Sequence, residues 1–284
     1  RDGIFKVTDI KDKNTIRKPS PPFITSTLQQ EASNRFKMSP KVTMKAAQRL
    51  YENGYITYMR TDSVTLSDEA RLSIKDYIGR EYGEKYSNPK QYENKSSNSQ
   101  EAHEAIRPAD INTKDISTDE SLSAIEYRLY TLIWNRTVAS QMKPAEMKLT
   151  HVSIKDKSKI DDYIFIHKNE TILFDGYQKI YTEYKDPESD SDLHKKLNIN
   201  LIVGDFVERN LIKATEKYSK PPHSHYTEAS LIKQLEKLGV GRPSTYATMV
   251  TIVQERKYVD KKDIEGKPID LSCLSLAFNQ KKIM

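Results

Sequence analysis

The spacing of hydrophobic positions changes several times along the chain, and each change predicts a different kind of element. Ile4-Phe5-Lys6-Val7 is a short strand-like run. A Lys- and Pro-rich connection follows, in which Pro19, Pro21 and Pro22 stop regular structure. Ser26-Thr27-Leu28-Gln29 has the form of a capping box and predicts a helix to about Phe36. Ser39 before Pro40 predicts an N-cap with proline at the first helical position. Val42, Ala46, Ala47 and Leu50 then recur at helical spacing until Gly54. Tyr55 to Arg60 is short and rich in aromatic and β-branched residues, which predicts a strand.

Further on, the polar segment Lys90 to Ser99 is the best candidate for a mobile loop. A helix is predicted from about Ser121 to Met142, with Ile125, Leu129, Leu132, Ile133 and Val138 turned inward. Between 147 and 210 the pattern becomes alternating: Leu149-Val152-Ile154, Tyr163-Phe165, Ile172-Phe174 and Leu201-Val203 read as strands between charged turns. The helical period returns at Thr227, with Leu231, Leu235 and Leu238 on one face and Gly239 at the end. Residues 26–58 and 227–259 share an order of helix, turn, helix and short extended run. That order suits a helix-turn-helix unit used against DNA, and equally an ordinary helical hairpin.

Composition narrows the choices. A length of 284 residues allows two or three domains. No apolar run approaches the roughly 20 residues that span a bilayer, so no membrane segment is expected. No apolar h-region follows Arg1-Asp2-Gly3-Ile4, which argues against a signal peptide, and the missing initiator Met suggests a start in mid-protein. The single cysteine, Cys273, excludes an internal disulfide and a multi-cysteine zinc site, and favours a reducing intracellular compartment. A net charge of +6 modestly favours an anionic partner such as nucleic acid. Tyrosine is frequent, 17 against seven Phe, and a phenol can stack on a base or act as a nucleophile.

The segment richest in chemistry is Gly54-Tyr55-Ile56-Thr57-Tyr58-Met59-Arg60-Thr61-Asp62-Ser63. Extended backbone alternates its side chains, which would put Tyr58, Arg60 and Asp62 on one face. A phenol two residues from a guanidinium has the parts to attack a phosphodiester and to offset the charge that grows on it. Spacing alone favours the plainer reading, an edge strand with a solvated salt link.

Ile56-Thr57-Tyr58-Met59-Arg60-Thr61-Asp62-Ser63 resembles the active-site motif of bacterial type IA DNA topoisomerases. Four further segments support the resemblance in the family's order: Pro21 to Gln30, Gln100 to Pro108, Ala139 to Ala145, and Thr227 to Leu231 with Gly241 to Ala247. The resemblance implies that Tyr58 is the catalytic nucleophile, leaving a 5′-phosphotyrosine and a free 3′-hydroxyl, and that Arg60 holds the scissile phosphate. It implies that one DNA strand is cut, passed and rejoined without ATP, which relaxes negatively supercoiled DNA. His103 is expected to hydrogen-bond to a phosphate near the cut or to neighbouring carboxylates. Arg107, ahead of Pro108, either contacts DNA or ties down a turn. Arg242 and Ser244 fall at a predicted helix N-terminus that favours a phosphate, and Ser244 can cap the helix as well.

By the same resemblance the fold is multidomain α+β. A β-rich arch is expected from 1–19 with 145–215, a mainly helical, winged-helix-like catalytic domain from 20–144, and part of a helical DNA-groove domain from 216–284. The arch would serve as a hinge. No cofactor is expected within the chain. Mg²⁺ is expected in a Toprim domain that the family places ahead of it, and Glu188-Ser189-Asp190-Ser191-Asp192 reads instead as a solvated loop. The implied partners are single-stranded segments of supercoiled DNA and that Toprim domain. A monomer in the cytoplasm, beside the nucleoid, is expected. His225 beside Tyr226 departs from the family, which commonly has arginine there. Alone the chain would be weakly active or inert. Two rivals remain: a single-stranded-DNA-binding module without chemistry, and a tyrosine recombinase or type IB enzyme, which leaves a 3′ link.

Overall fold

The computed structural model describes residues 5–94, 104–156, 164–184, 201–208, 211–216, 225–265, 270 and 272–277. Its first body is a four-stranded antiparallel sheet of order β3-β2-β1-β4. Strand β1 (Phe5–Arg17) runs well past the short start expected from Ile4 to Val7. It pairs with β2 (Ala145–Asp156) from Phe5 opposite Asp156 to Arg17 opposite Ala145, with one irregularity between Val7 and Asp9. The polar stretch does not end the strand, because β2 satisfies its backbone groups while the side chains remain near solvent. Strand β3 (Ile164–Phe174) unites in one element the two strands expected around Phe165 and Ile172. Tyr163 lies outside the described residues. Leu201 to Val203 form no strand; they precede a turn into the two-residue β4 (Phe206–Val207), which pairs with Phe5 and Lys6.

Because Arg17 sits opposite Ala145, the chain leaves and re-enters the sheet at one place, and the helical body is inserted between. Its helices are α1 (Thr25–Phe36), α2 (Pro40–Glu52), α3 (Asp68–Tyr82) and α4 (Ala124–Ser140). They enclose a core that includes Trp134, Tyr130, Leu129, Ile133, Leu28 and Leu50. Helix α1 opens one residue before the expected box, with the Thr27 hydroxyl accepting the Ile24 N–H at 3.0 Å. Ser26 and Gln29 are therefore inside the buried face, and their polar atoms meet no partner among the described residues.

The expected cap of α2 is present: Ser39 Oγ accepts the Val42 N–H at 3.3 Å. Its buried stripe, however, is Pro40, Thr43, Ala46, Ala47 and Leu50, and Val42 faces solvent. Thr43, at the 3.6-residue spacing from Ala46 and Ala47, takes the place assigned to Val42. Helix α4 is shorter than expected at both ends. Ile125 lies in its first turn and is exposed, whereas Leu129, Leu132, Ile133 and Val138 are buried. Helix α3, which the hydrophobic spacing did not reveal, buries Ile74, Tyr77 and Ile78 and is capped by Ser67. Within the polar segment predicted to be mobile, Gln91 and Asn94 are tied to Leu66, Val64 and Ser63, and the positions from 95 lie outside the described residues.

Helices α5 (Glu228–Lys237) and α6 (Tyr246–Glu255) pack on this body, α5 against α1 and α6 against α2. Their inward residues are Ala229, Ile232, Tyr246 and Val250, with Leu231 and Leu235 partly buried. Leu238 is exposed, because the buried face is turned toward Ala229 and Ile232. No strand follows at Lys257-Tyr258-Val259; Tyr258 and Val259 are exposed. Strand β5 (Leu211–Thr215) instead pairs with β6 (Cys273–Ala277).

The return from α4 to the sheet is closely fitted. The Lys143 N–H donates to Tyr86 O at 2.8 Å, and the Tyr177 N–H donates to Lys143 O at 2.9 Å. Gly176 has φ +51°, and an added Cβ would stand 2.4 Å from Pro144 O. Gly176→Ala is therefore expected to cost about 1–3 kcal/mol in urea unfolding, since both the backbone angle and the missing space oppose it. A variant of unchanged stability would contradict this packing.

Candidate active site

The segment after α2 is held open to solvent on one side and anchored on the other. It is not a ladder strand, contrary to the prediction for Tyr55 to Arg60; its one pairing is the isolated bridge between Ile56 and Pro108. Side chains and flanking backbone fix it instead. The Thr57 N–H donates to Arg107 O at 2.9 Å, the Thr57 hydroxyl donates to Ala105 O at 2.7 Å, and the Ala109 N–H donates to Tyr55 O at 2.9 Å. Met59, Thr61 and Ser63 are buried, while Tyr58 and Arg60 are exposed and Asp62 is half-buried. The alternation that the sequence suggested is thus present without the sheet that usually enforces it.

Tyr58 is 42% exposed, and its hydroxyl meets no hydrogen-bond partner among the described residues. Its ring packs edge-to-face on Tyr51 in the last turn of α2, with centroids 5.2 Å apart and planes at 67°. No motif in the sequence marks Tyr51. Its signal was its place on α2, one residue beyond Leu50 and outside the buried stripe. The outer side of α2 also carries Gln48, whose amide donates to Glu52 Oε1 at 2.7 Å.

Arg60 opens into a cleft of about 400 Å³ between α2 and α6. Lys41, Met44, Ser244, Thr248, Thr251 and Glu255 share its lining. The structure therefore brings Arg60 and Ser244 together across nearly 200 residues of chain. Arg242 is exposed in the turn before α6, where the Thr245 N–H donates to its carbonyl at 2.8 Å. Ser244 does not cap the helix as expected: α6 begins at Tyr246, and Thr245 stands at the N-cap. Ser244 stays exposed in the turn, with its hydroxyl free of the helix end. Gly241, at φ +88°, keeps this turn close to the Tyr246 ring; a Cβ there would lie 3.0 Å from Met249 Sδ. Burial, together with Glu236 and Asp62 nearby, pushes the Tyr246 phenol up.

Arg107 is committed to its own turn. Its guanidinium donates to Glu104 Oε2 at 2.8 Å and to Pro108 O at 2.9 Å. Glu104 also accepts the Ser67 N–H at 2.5 Å. Burial alone would raise the Glu104 carboxyl, but Arg107 and Ser67 outweigh it and hold the group below the usual carboxylate range. A depressed folded pKa means stability that is complete above the unfolded value and lost as pH falls through the folded one. Glu104→Gln is therefore expected to cost about 1–2 kcal/mol near neutrality. Thermal melts of the two proteins should converge as pH drops below about 4; a constant difference would contradict the ion pair. His103 lies outside the described residues.

Among the described residues, no group of three or more His, Cys, Asp or Glu side chains is placed to hold a metal ion. The run Glu188 to Asp192 lies outside them. No described helix is long and apolar enough to cross a membrane.

A family model described as DNA topoisomerase matches residues 1–276 of the chain. The chain belongs to the type IA DNA topoisomerase family. A DNA topoisomerase 1 of prokaryotic type from Acanthamoeba polyphaga mimivirus is 45% identical over 98% of this chain and 33% of its own length. DNA topoisomerase 1 of Mycolicibacterium smegmatis is 46% identical over 92% of this chain and 28% of its own length. Full-length topoisomerase I from Thermotoga maritima superposes with a TM-score of 0.75 at 32% identity, covering 92% of this chain and 42% of that one. The chain spans about a third of the length of the curated relatives it matches, and the mixed multidomain α+β fold agrees with the solved relative.

Proposed function

We propose that this chain supplies the cutting nucleophile and part of the strand path for ATP-independent cleavage, passage and rejoining of one DNA strand. The observation that carries the reading is the exposed row of Tyr58 and Arg60, with Arg60 open to the cleft shared by Lys41 and Ser244. The Tyr58 oxygen loses its proton and attacks the phosphorus of a phosphodiester. A bond forms from Tyr58 to phosphorus, the bond from phosphorus to the 3′-oxygen breaks, and that oxygen takes up a proton. The products are a 5′-phosphotyrosine and a free 3′-hydroxyl. The phosphotyrosyl bond retains the energy of the broken diester, so rejoining is the reverse attack and needs no ATP.

In this reading Arg60 grips the scissile phosphate with its planar fork and offsets the charge that builds on it. Arg242 and Ser244 guide the backbone of a single strand, held by charge and stacking rather than by base identity. His103 acts as a hydrogen-bond donor near the cut. Arg107 positions the segment beside Thr57 through its ion pair with Glu104. In the assembled enzyme a Toprim domain would bring Mg²⁺, and relaxation of negatively supercoiled DNA in the cytoplasm would be the outcome. The chain by itself is weakly active or inert.

The test uses oligonucleotides labelled at either end, with the chain alone and with the metal-binding domain of a relative supplied separately. The label should stay with protein after denaturation only when it lies on the 3′ side of the cut, as a 5′-phosphate link requires. A link to the opposite fragment would place the chain with enzymes that form 3′ links. Reversible, salt-sensitive binding with no adduct under either condition would leave a binding module without chemistry.

A further inference from the structure

We propose that Thr25 is the positioning residue for Arg60, acting through the backbone on both sides of it. Thr25 is the first residue of α1, 35 positions before Arg60, and is fully buried. Its hydroxyl donates to Met59 O at 2.7 Å and accepts the Thr61 N–H at 2.9 Å. Its own N–H donates to Thr61 O at 3.0 Å. The two peptide units that flank Arg60 are therefore both fixed to one side chain and one amide at the start of a helix.

The surroundings make this clamp specific. The segment has no ladder to hold it, since its pairing ends at the isolated bridge of Ile56. Thr57 anchors the part before Tyr58 to Ala105 and Arg107. Thr25 anchors the part after it. Between the anchors, the side chains of Tyr58 and Arg60 project to solvent, and Arg60 meets no hydrogen-bond or ion-pair partner among the described residues. The direction in which Arg60 leaves the backbone is thus set by the peptide units on either side. A guanidinium that must meet a phosphate with two parallel hydrogen bonds tolerates little rotation of its base. Without the Thr25 hydroxyl, the buried carbonyl of Met59 and the N–H of Thr61 lose their shared partner, and the peptide is free to turn toward other partners.

This inference rests on Arg60 as the phosphate grip, and its test separates the two. Single-stranded oligonucleotide binding is measured by fluorescence anisotropy across a salt series, for wild type, Thr25→Val, Thr25→Ser, Arg60→Ala and the Thr25→Val/Arg60→Ala double variant. Arg60→Ala should weaken binding and lower the salt slope by about 0.7, one phosphate contact on a single strand. Thr25→Val should weaken binding by roughly threefold to tenfold, with the slope reduced in the same sense. Thr25→Ser, which keeps the hydroxyl, should bind like wild type. In the Arg60→Ala background, Thr25→Val should add nothing, because its effect passes through Arg60. Circular dichroism checks folding, and Thr25→Ala takes the place of Thr25→Val if the valine variant does not fold. Equal binding by wild type and Arg60→Ala would count against the grip itself. Loss on Arg60→Ala with none on Thr25→Val, or a Thr25→Val loss that persists in the double variant, would overturn the positioning role alone.

Discussion

Tyr58→Phe is expected to remove the covalent protein–DNA adduct completely while leaving the fold and strand binding intact. The substitution deletes one oxygen. That oxygen meets no partner among the described residues and the ring is 42% exposed, so stability should change by less than about 0.5 kcal/mol. The edge-to-face contact with Tyr51 uses the ring and survives in phenylalanine. Only the Tyr58 nucleophile is lost, and an adduct through the neighbouring Tyr51 phenol would carry the link on a different residue. The measurement is the fraction of labelled oligonucleotide retained with protein after denaturation, beside an anisotropy titration of the same variant. Adduct formation by Tyr58→Phe would show that another group attacks.

Arg60→Ala carries the second large effect. Its guanidinium makes no structural bond among the described residues, and a side chain that is exposed and unbonded contributes little to stability. Its expected contribution is to the developing charge on the phosphate, where removing one well-placed donor costs about 10²–10³ in rate. Single-turnover adduct formation should fall by that range. Arg60→Lys should recover only a part, because an ammonium keeps the charge and loses the fork. Full activity in the lysine variant would show that charge alone suffices there. Wild-type rates in the alanine variant would place the phosphate elsewhere, toward Lys41 or the turn at Arg242.

These effects separate what was legible in the sequence from what was not. The cap at Ser39 and the return of helical spacing at Thr227 are readable, because both signals are local. The row of Tyr58, Arg60 and Asp62 was readable for the same reason, since extended backbone alternates whatever it pairs with. The strand drawn around it was not correct, because its partners are single hydrogen bonds to Thr25, Ala105 and Arg107, and these leave no periodic trace. The long β1 was hidden for the converse reason. Its polar positions are exposed on the sheet, so no alternation marks them, and only β2, nearly 130 residues later, reveals the pairing. Helix α3 escaped because Leu72 on its outer face blurs the stripe of Ile74, Tyr77 and Ile78. The cleft that joins Arg60 to Ser244 depends on how α6 packs on α2, which no local pattern encodes. Arg107 shows the limit most clearly: its turn-binding and DNA-binding readings use the same residues, and only the geometry reveals the ion pair with Glu104 that ties it to its turn.

The assignment of Tyr58 is tested most directly by finding which of the 17 tyrosines carries the DNA. The denatured adduct should be digested with protease and nuclease, and the nucleotide-bearing peptide identified by mass spectrometry. A 5′-phosphorylated nucleotide localised to Tyr58 itself by fragmentation of its peptide is the predicted result. A nucleotide on Tyr51, Tyr55, Tyr226 or any other residue would contradict it.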